Sequence, residues 1–148
     1  MATLKVTIKE ELVLNGKDMG NENFLSISGV NSAEHKILSV GDTDQTILLF
    51  AASGSPAAGT YIDDTLKHLR LTNLDTQYYT QLRIVDSASS NQYYVKLEPG
   101  ETFILGNSKT YADATGTSHT GTISNIDAVY AKAESGQTCE IEMFIATT

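Results

Sequence analysis

The side chains of this 148-residue chain best suited to chemistry are three histidines, one cysteine and two close carboxylate pairs. His35, His68 and His119 lie far apart, and none stands in the H-x-H or H-x-x-x-H spacing that brings two imidazoles to one metal. His68 alternates with Arg70 and is expected on a solvated polar face. Serine and threonine are plentiful, but no G-x-S-x-G element is present, and a hydroxyl without a positioned base is not a nucleophile. Asp42/Asp44 and Asp63/Asp64 lack the spacing of a calcium loop and read as turn caps or solvated carboxylates. Catalytic residues, a metal and a cofactor are therefore not expected. Cys139 is the sole cysteine, which excludes an intramolecular disulfide and suits a reducing cytoplasm. It shares its period-two row with Ile141, Met143 and Ile145, so a buried, inert thiol is expected.

The elements that would hold these residues are strands. Leu4, Val6, Ile8, Leu12 and Leu14 alternate with Lys5, Thr7, Lys9 and Glu11, the pattern of a strand with one face covered, and Glu10 alone breaks the apolar row. That break suggests that residues 1–16 run past the core edge towards a partner. Asn15-Gly16 signals a tight turn, and Gly20–Asn23 reads as loop. Phe24–Val30 and His35–Val40 read as strands joined by a turn at Asn31–Glu34. Thr46–Ala52 is continuously apolar and is expected to be a strand buried on both faces in the middle of the fold.

Leu69 and Leu71, Leu82 and Ile84, Tyr93, Val95 and Leu97, Phe103 and Leu105, and Val129, Ala131 and Ala133 continue the alternation. Polar turns and the Pro99-Gly100 pair of a type II turn punctuate it. The expected core includes Val6, Ile8, Leu49, Leu71, Leu82, Ile84, Val95, Phe103, Ile141 and Ile145. About ten strands without a helix specify an all-β fold: a single-domain antiparallel β-sandwich over residues 1–148, jelly-roll-like.

Composition narrows the partners. A net charge of −8 with scattered lysines and arginines argues against nucleic acid. No apolar run is long enough for a membrane span, and the opening residues lack a signal-peptide core, so a soluble chain without an export signal is expected. Tyr78-Tyr79 and Tyr93-Tyr94 each place one ring on either face of a strand. Tyr79 and Tyr94 are expected as an exposed cross-strand pair, serving sheet packing, a protein interface or a sugar platform. The absence of tryptophan weakens the sugar reading.

The succession Leu69-Arg70-Leu71-Thr72-Asn73-Leu74-Asp75, Leu82-Arg83-Ile84, Tyr93-Tyr94-Val95-Lys96-Leu97-Glu98-Pro99-Gly100-Glu101-Thr102-Phe103-Ile104-Leu105, Ala128-Val129-Tyr130-Ala131-Lys132-Ala133 and Glu140-Ile141-Glu142-Met143-Phe144-Ile145-Ala146 resembles small virion structural proteins of marine and cyanobacterial tailed bacteriophages. The opening Leu4-Lys5-Val6-Thr7-Ile8-Lys9-Glu10-Glu11 with Leu14-Asn15-Gly16-Lys17 is similar to the start of the same group. The resemblance implies a non-enzymatic subunit of the virion, assembled in the host cytoplasm. It would be a capsid cement or decoration protein, with a tail or head-fibre component as the alternative; apart from the resemblance, the exposed tyrosines leave a carbohydrate-binding module as a further alternative. The implied partners are the phage major capsid protein and the chain itself as a homo-oligomer, a trimer in preference to a dimer. Candidate contacts are Lys5, Thr7 and Lys9 on the first strand, Tyr79 and Tyr94, and Thr115, Thr117 and His119 in the long polar segment 107–125.

Overall fold

The computed structural model describes residues 1–51, 60–62, 64–86, 91–110 and 123–148. Among them every regular element is a strand, as alternation at period two dictates. The chain opens with β1 (Ala2–Glu10), β2 (Val13–Leu14), β3 (Lys17–Asp18) and β4 (Asn21–Val30). β1 pairs with β4 and β2 with β3, so residues 2–30 make one long hairpin. Its tip is turned by Asn15 and Gly16, both at positive φ (51° and 77°), the conformation that an Asn-Gly type I′ turn requires.

The body follows: β5 (Ser32–Val40), β6 (Gln45–Ala51), β7 (Thr60–Ile62), β8 (Leu66–Asn73), β9 (Thr80–Asp86), β10 (Gln92–Leu97), β11 (Thr102–Leu105), β12 (Lys109–Thr110), β13 (Ser124–Ala133) and β14 (Cys139–Thr147). One sheet has the order β10-β9-β13-β6-β7, with β12 beside β13; the other has the order β11-β8-β14-β5. All pairs are antiparallel except β6 with β7. The two sheets form a β-sandwich. Leu69, Leu71, Ile141, Met143 and Ile145 face Leu48, Leu82, Ile84, Val129 and Ala131, all fully buried. Gly100 adopts the positive φ of 80° that the Pro99-Gly100 turn needs, and Glu101 N–H closes it on Glu98 C=O at 3.0 Å.

Several expectations need correction. Val6 and Ile8 lie on the hairpin, outside the core, and Ile8 is 45% exposed. Asn21–Asn23 belong to β4 instead of a loop. The expected turn at Asn31–Glu34 is absent: Asn31 alone separates β4 from β5, and the two strands do not pair because β4 returns along β1 while β5 enters the sandwich beside β14. The apolar run in β6 is not buried on both faces. Ile47, Leu48 and Phe50 are buried, but Leu49 is 40% exposed, and β6 lies next to the sheet edge with only three-residue β7 beyond it. β9 begins at Thr80, leaving Tyr78 and Tyr79 in the preceding turn.

Candidate functional site

The hairpin of residues 2–30 is the part of the fold least explained by folding. The register Leu4↔Ile27, Val6↔Leu25 and Ile8↔Asn23 collects Leu4, Val6, Ile8, Leu25 and Ile27 on one face. Thr3, Lys5, Thr7 and Lys9 stand on the other, opposite Ser28, Ser26, Phe24 and Glu22. The apolar face, which alternation assigns to a core, is only partly covered: Leu25 is 52% exposed and Ile8 is exposed too, while Leu4, Val6 and Ile27 are half-buried. Leu12, Val13, Leu14 and Met19 add an exposed apolar tip. Among the described residues β1 and β4 pair only with each other, which leaves a row of backbone N–H and C=O groups on both outer edges. Nine residues at roughly 3.4 Å each give an arm about 30 Å long.

The arm is anchored only at its base. Val30 is buried, Asn31 N–H bonds Thr147 C=O at 2.9 Å, and Gly29, at a positive φ of 78°, turns the strand beside Thr148. Charge is divided in the same way. Residues 1–30 carry three lysines against four carboxylates, whereas the rest carries seven cations against fourteen carboxylates. The sandwich thus holds nearly all the negative charge, and the arm is close to neutral.

The sandwich's outer faces carry two polar clusters. On β5, β14 and β8, His35 Nε2 lies 2.8 Å from Glu142 Oε1, and Arg70 donates to Glu142 Oε2 at 2.5 Å and to Thr72 at 2.8 Å; Thr72 meets Thr102 at 2.9 Å. Glu142 is held below the usual carboxylate range, chiefly by the Arg70 hydrogen bond and then by His35. The order imidazole, carboxylate, guanidinium, hydroxyl puts no hydroxyl against the imidazole, so the base-to-nucleophile contact of acyl transfer is missing from this cluster. His68, expected in solvent, is buried beside Phe144; burial first, and Arg70 second, lower its affinity for a proton. The row that it shares with Arg70 is covered at this end of the sheet, as fully buried Ala146 opposite it also shows.

On the other sheet, Arg83 lies 3.8 Å from the Tyr130 ring centroid and donates Nε to Asp44 at 3.0 Å. The Lys96 ammonium lies 4.3 Å from the Tyr79 ring and bonds Glu98 at 2.5 Å. Tyr79 and Tyr94 do not form the expected cross-strand pair, because the register sets Tyr94 opposite Arg83 and Lys96 covers Tyr79. A sugar would have to displace the Lys96 ammonium to stack on Tyr79. Asp42 caps Gly136 N–H at 2.9 Å, which accounts for both carboxylates of the Asp42/Asp44 pair. Among the described residues no three His, Cys, Asp or Glu side chains gather as a metal site. Cys139 is buried in the row with Ile141, Met143 and Ile145.

Lys5, Thr7 and Lys9 therefore sit together on the arm, and Tyr79 and Tyr94 sit on the outer face of the sandwich. Thr115, Thr117 and His119 lie outside the described residues. The alternation put Leu4, Val6 and Ile8 on a covered face and assigned Leu25 and Ile27 no role, so all five were missed as contact residues; the signal was Glu10, the break in the β1 row. No protein-family model matches the chain, and no curated protein and no solved structure is significantly similar to it.

Proposed function

We propose that the chain is a non-enzymatic structural subunit of a tailed-phage virion: a capsid cement or decoration protein that bridges major capsid proteins. The observation that carries this reading is the arm. A two-stranded hairpin is marginal in water, yet this one holds an apolar face, an apolar tip and two unpaired edges away from the sandwich. Such a surface has a physical rationale when neighbouring chains cover it, and a subunit that spans joints between capsid proteins supplies those neighbours.

The strand order supports a jelly-roll reading of the body. With the short β7 and β12 set aside, β5, β6, β8, β9, β10, β11, β13 and β14 distribute into β5-β14-β8-β11 and β6-β13-β9-β10, an eight-stranded double-sheet arrangement of the kind used by viral capsid domains. Strand addition at the arm's edges would supply main-chain hydrogen bonds, and Lys5 and Lys9 would supply charge to an acidic partner surface.

Truncation tests the proposal. A chain lacking residues 1–28 should keep the β-sheet circular dichroism and cooperative melting of the sandwich, because it retains Gly29, Val30 and Asn31, which tie the arm to it. It should also lose occupancy on phage particles. A truncated chain that decorates particles as fully as the intact one would overturn the reading.

A further inference from the structure

We propose that three copies of the arm close on one another into a six-stranded antiparallel barrel, with the apolar face of each arm turned inward. The inference is independent of the virion reading, since it concerns only what covers residues 2–30.

Direction comes first. With arms side by side about an axis parallel to their length, β1 runs from base to tip and the neighbour's β4 from tip to base. The facing edges are therefore antiparallel, as a ladder of the kind already joining β1 to β4 requires. This contact is heterologous, and repeating it around a ring closes it. Closure removes every open edge of the arm, which no pairing of β1 with a second β1 can do, because that leaves β4 unpaired on both sides.

Charge agrees. β1 presents Lys5 and Lys9 and β4 presents Glu22 on the outward face; the internal register sets Lys9 opposite Glu22. The same register between copies would again set Lys9 against Glu22 and Lys5 against Ser26, with no like charges opposed.

Burial sets the smallest number of copies that can close. Along the β1–β4 ladder the apolar pairs Leu4–Ile27 and Val6–Leu25 lie towards the base, Ile8 faces Asn23, and Glu10 faces Asn21 at the end nearer the tip. Arms that point the same way match apolar to apolar and bring the Glu10–Asn21 row to a water-filled mouth; arms in opposite directions would press Glu10 onto Leu4. Two copies give only four strands, too few to enclose side chains. Three copies of the two-stranded arm give six, the smallest ring of arms to fall within the roughly five to eight strands of small natural barrels. The interior would be filled by Leu4, Val6, Ile8, Leu25 and Ile27 of each copy, and the outward face, with Lys5, Thr7, Lys9, Phe24 and Ser26, would remain outside the barrel.

Sedimentation equilibrium of the full chain should give the mass of three chains. Val6→Asp with Leu25→Asp, which charges the inward face, should give single chains that retain the sandwich's melting transition, and Ser26→Asp on the outward face should leave the trimer intact. Amide hydrogen exchange of the wild-type chain provides a readout free of variants. In a lone hairpin alternate amides of β1 and β4 point outward and exchange fast, whereas in the barrel consecutive amides along both strands are protected. A wild-type monomer, dimer or tetramer, a trimer that survives the inward charges, or alternating fast exchange along β1 and β4 would overturn the proposal.

Discussion

Asn73 is wholly buried, and its carboxamide ties three segments together: it donates to Tyr78 C=O at 3.0 Å and to Leu97 C=O at 3.1 Å, and accepts from Asp75 N–H at 3.1 Å. Its own backbone is also engaged, with Glu101 C=O and Gly100 N–H each at 3.0 Å. Asn73→Ala removes the three side-chain bonds but leaves those backbone bonds in place. At a net worth of about 0.5–1.5 kcal/mol each, the loss should be about 3 kcal/mol. Asn73→Asp should cost more, because it keeps the shape, deletes both donors and places a carboxylate where no water reaches it. In urea the midpoint should fall with an unchanged slope. In a thermal scan Asn73→Ala should lose roughly 6–12 °C, at about 2–4 °C per kcal/mol for a chain of this size. Gln77→Ala, on the exposed side of the same turn, should stay within about 0.5 kcal/mol of wild type. An Asn73→Ala midpoint indistinguishable from that of Gln77→Ala would refute the assignment of Asn73 as the tie between these turns.

Two further outcomes follow from buried or paired groups. Because Glu142 is held below its ordinary value, chiefly by Arg70, its contribution to stability is complete at neutral pH and is lost as pH falls from about 4.5 through the lower folded value; Glu142→Gln should flatten that part of a pH-stability curve, and an unchanged slope would contradict it. Cys139, 1% exposed, should resist thiol reagents in the native protein and react on unfolding, so fast native labelling would show that the β14 row opens.

The sandwich was legible because its inner rows repeat at period two: Leu69 with Leu71, Leu82 with Ile84, and Cys139 through Ile145 fall where alternation places them. Turn chemistry was equally readable at Asn15-Gly16 and Pro99-Gly100, where the backbone demands a positive φ. The arm was not. Alternation says that Leu4, Val6 and Ile8 share a face, but it is silent on whether the covering layer comes from the same chain. The unpartnered extension of β1 was hinted at only by Glu10 in the apolar row. Leu49 misled for a related reason: a continuous apolar run implies cover on both sides only in a strand with full-length neighbours, and β7 spans three residues. The tyrosines depended on register, which puts Arg83 opposite Tyr94 and which alternation within one strand leaves undetermined.

The account stands on the arm as an assembly element, and a density map of intact phage particles tests this most directly. The account predicts the sandwich on the capsid exterior over joints between major capsid proteins, with Leu4, Val6, Ile8, Leu25 and Ile27 covered by neighbouring chains. Particles without the chain, or a map in which the arm projects bare into solvent, would contradict it.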